Sequence, residues 1–145
     1  MLIGTLFVIN EAATSPETPT AFRVSFASGS TVQRFASSKE SDVSIAVHNY
    51  GKEMAEEVMV HVNFPPSFAL ARGNGYGLVV QPSTSTFPGY KTANIRIGAM
   101  HEGIVQDLPT LKFTTPSQSS RYVVQVTVWE KRLGKSQHQL AFDVA

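Results

Sequence analysis

Apolar and polar side chains alternate along most of the chain with a repeat of two residues. The repeat recurs in separate segments, whose apolar members are Phe22, Val24 and Phe26; Val43, Ile45 and Val47; Val58, Val60, Val62 and Phe64; Ile95 and Ile97; Leu111 and Phe113; Tyr122, Val124, Val126 and Val128; and Leu140, Phe142 and Val144. Successive side chains of a β-strand point to opposite faces, so each segment predicts a strand with one buried face and one wetter face.

The breaks between these segments carry turn-forming residues. Residues 49–52 contain Asn and Gly and predict a turn, and Pro65 and Pro66 end the strand before them because proline donates no hydrogen bond to a sheet. Residues 133–135 predict a hairpin between the last two strands, and residues 52–57 are interpreted as a loop with at most one helical turn. Closely spaced strands without a long helix indicate an all-β, immunoglobulin-like antiparallel β-sandwich of about seven to nine strands.

Two regions are expected along the chain. Residues 1–9 are strongly apolar, and residues 10–20 include Pro16 and Pro19 and resemble a linker; the sandwich is assigned to residues 21–145. Residues 1–9 are interpreted in three ways: an edge strand on the same domain, the end of a membrane anchor, or a strand donated to a neighbouring subunit. Leu2, Leu6 and Val8 in this segment are candidate partner-binding residues.

The composition of the chain excludes several kinds of functional site and partner. The chain has 145 residues, a formal net charge of +1 and no cysteine. The absence of cysteine excludes disulfides, thiol catalysis and thiolate metal ligands. A net charge this close to zero provides no general attraction to nucleic acid.

Two histidines are the candidates for a metal site. His48 and His61 fall on successive predicted strands, where a short hairpin would place them side by side as two ligands. Asp42, Glu57 and His101 are conceivable third ligands, but the pattern singles out none of them. The favoured interpretation is two solvated surface histidines, with no metal and no cofactor.

Motifs for catalysis are missing from the sequence. No serine lies in a Gly-x-Ser-x-Gly elbow, and Gly73, Gly75 and Gly77 have the wrong spacing for dinucleotide binding. The chain is therefore predicted not to be an enzyme. Tyr76, in the glycine loop, and Trp129, on the polar side of its strand, are candidate partner contacts, and stacking of a sugar on Trp129 is left open.

Residues 43–51, 55–62 and 64–68 follow a pattern of apolar strand, Asn-x-Gly turn, Ala-x-x-Val, alternating strand, then proline and an aromatic residue. Residues 95–103 and 111–113 add a strand, a glycine-containing turn and a further strand. This pattern resembles the CARDB-type domains, which are cell-adhesion-related domains of bacteria, and the immunoglobulin-like domains appended to bacterial glycosidases. The resemblance implies an accessory module that contacts protein or carbohydrate.

The prediction is a non-catalytic interaction or adhesion module of a cell-surface or envelope assembly, located outside the cytoplasm. The alternative is a self-assembling structural subunit, such as a filament or coat protein, that donates its N-terminal strand. A protein partner or self-assembly is expected, carbohydrate is the third option, nucleic acid is not expected, and a membrane is contacted only if residues 1–9 end an anchor.

Overall fold

The computed structural model describes residues 22–70 and 91–145 and the backbone of the strand at 78–82. Every regular element in these ranges is a strand, as the alternating pattern predicted. The strands are β1 (Phe22–Phe26), β2 (Val32–Phe35), β3 (Glu40–Val43), β4 (Ile45–Asn49), β5 (Ala55–Phe64), β6 (Ala69–Leu70), β7 (Leu78–Pro82), β8 (Lys91–Met100), β9 (Val105–Asp107), β10 (Leu111–Thr114), β11 (Ser120–Glu130) and β12 (Gly134–Val144). Within the described residues, no helix is long and apolar enough to cross a membrane.

One layer of the sandwich is a six-stranded sheet in the order β2-β12-β11-β5-β8-β7. Its neighbouring strands are antiparallel, except that β2 runs parallel to the second half of β12. The predicted hairpin of the last two strands is confirmed: β11 and β12 pair along their whole length, and Gly134 begins β12 at a φ of 80°. A positive φ is the conformation that glycine tolerates best, which explains this residue at the turn.

The other layer consists of two three-stranded sheets, β1-β4-β9 and β3-β10-β6. Ser44 alone separates β3 from β4, and residues 108–110 separate β9 from β10. Leu111 pairs with Val43 and Asp107 pairs with Ala46, so the two small sheets continue each other end to end. These interruptions help explain why twelve strands are described where about seven to nine were expected.

The core lies between the layers and is built from the alternating apolar residues. Phe142 of the six-stranded sheet is completely buried, and its ring lies 5.3 Å from that of Phe26 and 5.7 Å from that of Phe113, both in the opposite layer. Phe35 stacks on Phe142 at 4.9 Å between ring centres. Aromatic packing across the two layers therefore holds the sandwich closed.

The interpretation of residues 52–57 as a loop is wrong for its second half, because β5 already begins at Ala55. Ala55 and Val58 are both fully buried, and the register with β8 shifts between them. This irregularity leaves Glu56 and Glu57 both exposed, so the local sequence does not alternate although it belongs to a strand.

A buried carboxylate organises the turn of the last hairpin. Glu130 is 0% exposed, and its Oε1 accepts hydrogen bonds from the backbone N–H groups of Arg132 at 2.9 Å and Leu133 at 3.1 Å. Its Oε2 accepts the N–H of Glu56 at 2.9 Å and lies 3.6 Å from Nε of Arg132. The side chain thus ties the β11–β12 turn to the start of β5.

Candidate functional site

The two histidines considered as metal ligands lie in different layers. His48 is in β4, which pairs with β1 and β9, whereas His61 is in β5, which pairs with β11 and β8. The expected hairpin between their strands is wrong, because the turn after Asn49 carries the chain from one layer to the other. His61 hydrogen-bonds to Asn94 through Nδ1, and no group of three or more His, Asp or Glu side chains in the described residues is arranged to hold a metal ion.

The other predicted contact residues are spread over the molecule. Trp129 pairs with Met59 and Lys135 and lies on the outer face of the six-stranded sheet, where it is partly buried. The remaining candidates lie outside the described residues; they are Leu2, Leu6, Val8 and Tyr76. Partner contact through any of these side chains stays a prediction.

Asn49, at the end of β4, fixes one corner of the sandwich. Its side chain is fully buried, and Nδ2 donates to the carbonyl oxygens of Glu53 at 3.0 Å and Met100 at 3.1 Å. Its backbone N–H donates to the carbonyl of Ile104 at 3.0 Å, and its carbonyl accepts from Gly103 at 2.7 Å. One residue therefore connects the loop after β4 to the loop between β8 and β9.

These two loops and the first residue of β9 display apolar side chains to solvent. Tyr50 is 46% exposed, Met54 40%, Ile104 44% and Val105 56%, and we call these four residues the corner patch. In the described residues the two other exposed large hydrophobic side chains, Val32 and Val123, lie elsewhere. Clustered apolar exposure on ordered loops is typical of an interaction surface.

Replacing Asn49 with alanine is expected to lower the free energy of unfolding by about 2 kcal/mol, because buried carbonyl groups lose their donor. Backbone amides in the loops that it joins should also exchange faster with solvent. Chemical denaturation and hydrogen exchange measure the two effects. Lys52→Ala, an exposed substitution in the same loop, is the control and should change neither; equal effects of both variants would contradict the role assigned to Asn49.

A groove of about 580 Å³ adjoins the corner patch on the outer face of the β1-β4-β9 sheet. Arg23, His48 and Val105 lie side by side across its three strands, and the groove continues around β1 to His138 of β12. The Arg23 guanidinium lies 4.5 Å from the centre of the Tyr50 ring, a cation–π contact. Val105 belongs to both features, so the corner patch and the groove form one continuous surface.

His138 is one of the polar side chains that line the groove. Burial lowers the pKa of His138, because a charged imidazolium is poorly solvated there. Its Nε2 lies 2.9 Å from Oγ of Ser136. The uncharged form of the ring is therefore favoured, so His138 contributes hydrogen-bonding capacity to the groove without fixed charge.

The sequence analysis did not identify this surface. The adjacent apolar residues Ile104 and Val105, between Gly103 and a polar strand, were the available signal, since they break the alternation. Asn49 was assigned only to a turn. Its burial depends on hydrogen bonds to Met100, about fifty residues further along the chain, which no local pattern contains.

The geometry defines the class of the domain: it is an immunoglobulin-like β-sandwich. Among solved structures of this class, the major pilin subunit of Bacillus cereus is similar over 87% of the chain, with a TM-score of 0.53 and 6% identity; the chain spans 40% of that protein. The CARDB domain of a Pyrococcus furiosus protein, solved in complex with di-metal ions, has a TM-score of 0.49 and 12% identity, covering 96% of this chain and 100% of that one. A cohesin module from a Clostridium perfringens family 33 glycoside hydrolase has a TM-score of 0.47 and 13% identity, covering 88% of this chain and 99% of that one.

These similarities concern the fold, and the similarity to the pilin subunit agrees with the immunoglobulin-like fold expected from the sequence. No protein-family model and no curated protein matches the chain.

Proposed function

We propose that this chain is a non-catalytic, immunoglobulin-like interaction module that binds a protein partner through the corner patch and the adjoining groove. The observation that carries the proposal is the exposure of four large apolar side chains, three on the loops that the buried Asn49 ties together and one, Val105, at the start of β9. Exposed apolar surface is costly in water, and its burial against a partner is favourable.

Order in the loops makes the surface suitable for binding. A flexible loop loses conformational entropy when a partner immobilises it, whereas a preorganised loop has already lost it during folding. The hydrogen bonds of Asn49 and the stacking of Arg23 on Tyr50 hold the surface in one arrangement. Tyrosine and arginine are also enriched among the side chains that dominate protein interfaces.

The groove is better suited to binding a partner than to catalysing a reaction. Ser136 and His138 form a hydrogen bond, but in the described part of the chain no carboxylate hydrogen-bonds to that imidazole, as a serine–histidine–aspartate triad requires. His138 also lies two residues from Ser136 on the same strand, which is an ordinary same-face contact. The proposal therefore assigns His138 to the wall of a binding groove, with Ser136 as its hydrogen-bond partner.

We infer that the partner belongs to a cell-surface or envelope assembly outside the cytoplasm. The fold shared with a major pilin subunit is compatible with this inference. Carbohydrate is the alternative partner class, and a sugar would be expected to use Trp129 on the opposite sheet instead of the corner patch. Self-assembly through residues 1–9 is the other alternative; it fails if the full chain and a chain lacking residues 1–15 are both monodisperse monomers.

Substituting Val105 with lysine is expected to reduce partner binding at least about tenfold, because it places a charge at the centre of an apolar contact. The measurement is capture of binding proteins from the envelope fraction of the source cells by immobilised wild-type and variant chains, compared by quantitative mass spectrometry.

Val123→Lys is the matched control, since Val123 is a 43% exposed valine in a strand of the other layer. It should leave capture unchanged. Equal capture by wild type and Val105→Lys, or loss only with Val123→Lys, would show that the partner does not use the corner patch.

A further inference from the structure

The outer face of the six-stranded sheet carries a row of side chains that differs in character from the corner patch. Lys135, Trp129, Met59 and Arg96 are aligned partners on the four neighbouring strands β12, β11, β5 and β8. Trp129 and Met59 are partly buried, whereas Lys135 and Arg96 are exposed. These four residues, which we call the tryptophan row, have an aromatic side chain and a thioether in the middle and a cation at each end.

The positive charges of the tryptophan row are not neutralised within the described residues. Neither Lys135 nor Arg96 forms an ion pair with a carboxylate described there. Glu57, two residues before Met59 on β5, is exposed and provides one opposing charge. Two positive charges against one leave this part of the face positive, which favours a ligand that carries negative charge.

A second row, made of amide, hydroxyl and imidazole side chains, lies beside the tryptophan row. Gln137, Thr127, His61 and Asn94 are aligned on the same four strands, each two residues along from a member of the first row. Oγ1 of Thr127 donates to Oε1 of Gln137 at 3.1 Å, and His61 hydrogen-bonds to Asn94 through Nδ1. These two bonds orient the side chains and leave the amide NH₂ groups and the other imidazole nitrogen for a ligand.

We propose that this face of the sheet is a second binding site, which takes an acidic oligosaccharide that contains uronic or sialic acid. A sugar ring packs its apolar face on the flat indole of Trp129. The sugar carboxylates bind Lys135 and Arg96, and the hydroxyl groups, which both donate and accept, bond to the second row. Ligand sites commonly combine aromatic side chains with a few well-placed polar groups. This site is separate from the corner patch and does not depend on the proposed function.

The dimensions and the polarity of the face favour this ligand over a protein. Neighbouring strands are about 4.8 Å apart, so the residues at the two ends of the tryptophan row are separated by three spacings, roughly 14 Å, which a short oligosaccharide spans. The centre of a protein interface is apolar and depleted in charged residues. Here amide and charged side chains surround the tryptophan instead.

Trp129 is the single tryptophan of the chain, so intrinsic tryptophan fluorescence reports on this site alone. A panel of immobilised uronate-containing, sialylated and neutral oligosaccharides first identifies the strongest acidic ligand. Titration with that oligosaccharide should change the emission of Trp129 in a saturable way. The same oligosaccharide after chemical reduction of its carboxyl groups should bind at least about tenfold more weakly, because the charged hydrogen bonds are lost.

Arg96→Gln and Lys135→Gln retain the tryptophan and change only exposed side chains, so both variants should fold like the wild type. Each is expected to weaken binding of the acidic oligosaccharide at least about fivefold, because one charged hydrogen-bond donor is removed. Lys52→Gln is the matched control, since it removes an exposed positive charge in the loop after β4. It should bind like the wild type.

Absence of binding to every acidic oligosaccharide, or equal binding of the carboxyl-reduced form, would overturn this inference. The same holds for equal weakening by Lys52→Gln, and for an equal fluorescence change with polyglutamate, which offers carboxylates but no sugar ring. Val105→Lys should bind the acidic oligosaccharide like the wild type. Failure of this site and failure of the corner patch are therefore distinguishable.

Discussion

Phe142→Ala is expected to lower the free energy of unfolding by about 4 kcal/mol. The Phe142 ring is fully buried and lies within 6 Å, centre to centre, of five other phenylalanine rings. Because these rings come from both layers, the cavity left by alanine cannot be filled by the movement of one sheet. Urea denaturation should show a lower midpoint with an unchanged slope, which reports lost stability and not a changed unfolded state.

Val32→Ala is the control for this substitution, since Val32 is 38% exposed at the edge of the same sheet. Its effect should stay within about 0.5 kcal/mol. A loss below about 1 kcal/mol for Phe142→Ala would contradict the aromatic contact between the layers.

Glu130→Ala is expected to lower the free energy of unfolding at neutral pH by about 3 kcal/mol, because buried backbone N–H groups lose a charged acceptor. Burial by itself would raise the pKa of Glu130, but the N–H groups of Glu56, Arg132 and Leu133 and the charge of Arg132 lower it overall below the ordinary glutamate value. The ionised form is therefore favoured by folding.

The sign of the pH dependence follows from this lowered pKa. A carboxylate with a lower pKa in the folded state contributes its full stabilisation above its ordinary pKa of about 4.5 and loses it as the pH falls through the folded pKa. The difference in unfolding free energy between wild type and Glu130→Gln should therefore shrink below about pH 4. Denaturation between neutral and acid pH measures it, and Glu102→Gln, an exposed turn substitution, should show no such trend; a difference independent of pH would contradict a stabilising carboxylate.

Much of the architecture could be predicted because it depends on local alternation. Phe142, Val126 and Val60 are buried as the two-residue repeat requires, and Gly134 lies at the predicted hairpin turn. Strand partners could not be predicted in the same way. Alternation fixes which side of a strand is buried but not the layer to which it belongs, and this is why His48 and His61 were expected side by side.

The surface features were harder to predict for a related reason. Asn49 and Glu130 resemble ordinary turn and strand-end residues in the sequence, and their burial arises from backbone groups contributed by distant segments. The corner patch forms where Asn49 and the pairing of β4 with β9 bring the loops containing Tyr50 and Ile104 together. Segments that are distant in sequence meet only in the folded chain, so a local sequence pattern does not reveal this surface.

Site-specific photocrosslinking tests the central claim most directly. A photoreactive amino acid is placed at Val105 in the corner patch or at Val123 on the opposite layer, and each protein is irradiated with the envelope fraction of the source cells. A discrete protein adduct at position 105, with none at position 123, is the predicted result. Adducts at position 123 alone, or at neither position while the wild-type chain still captures a partner, would contradict binding through the corner patch.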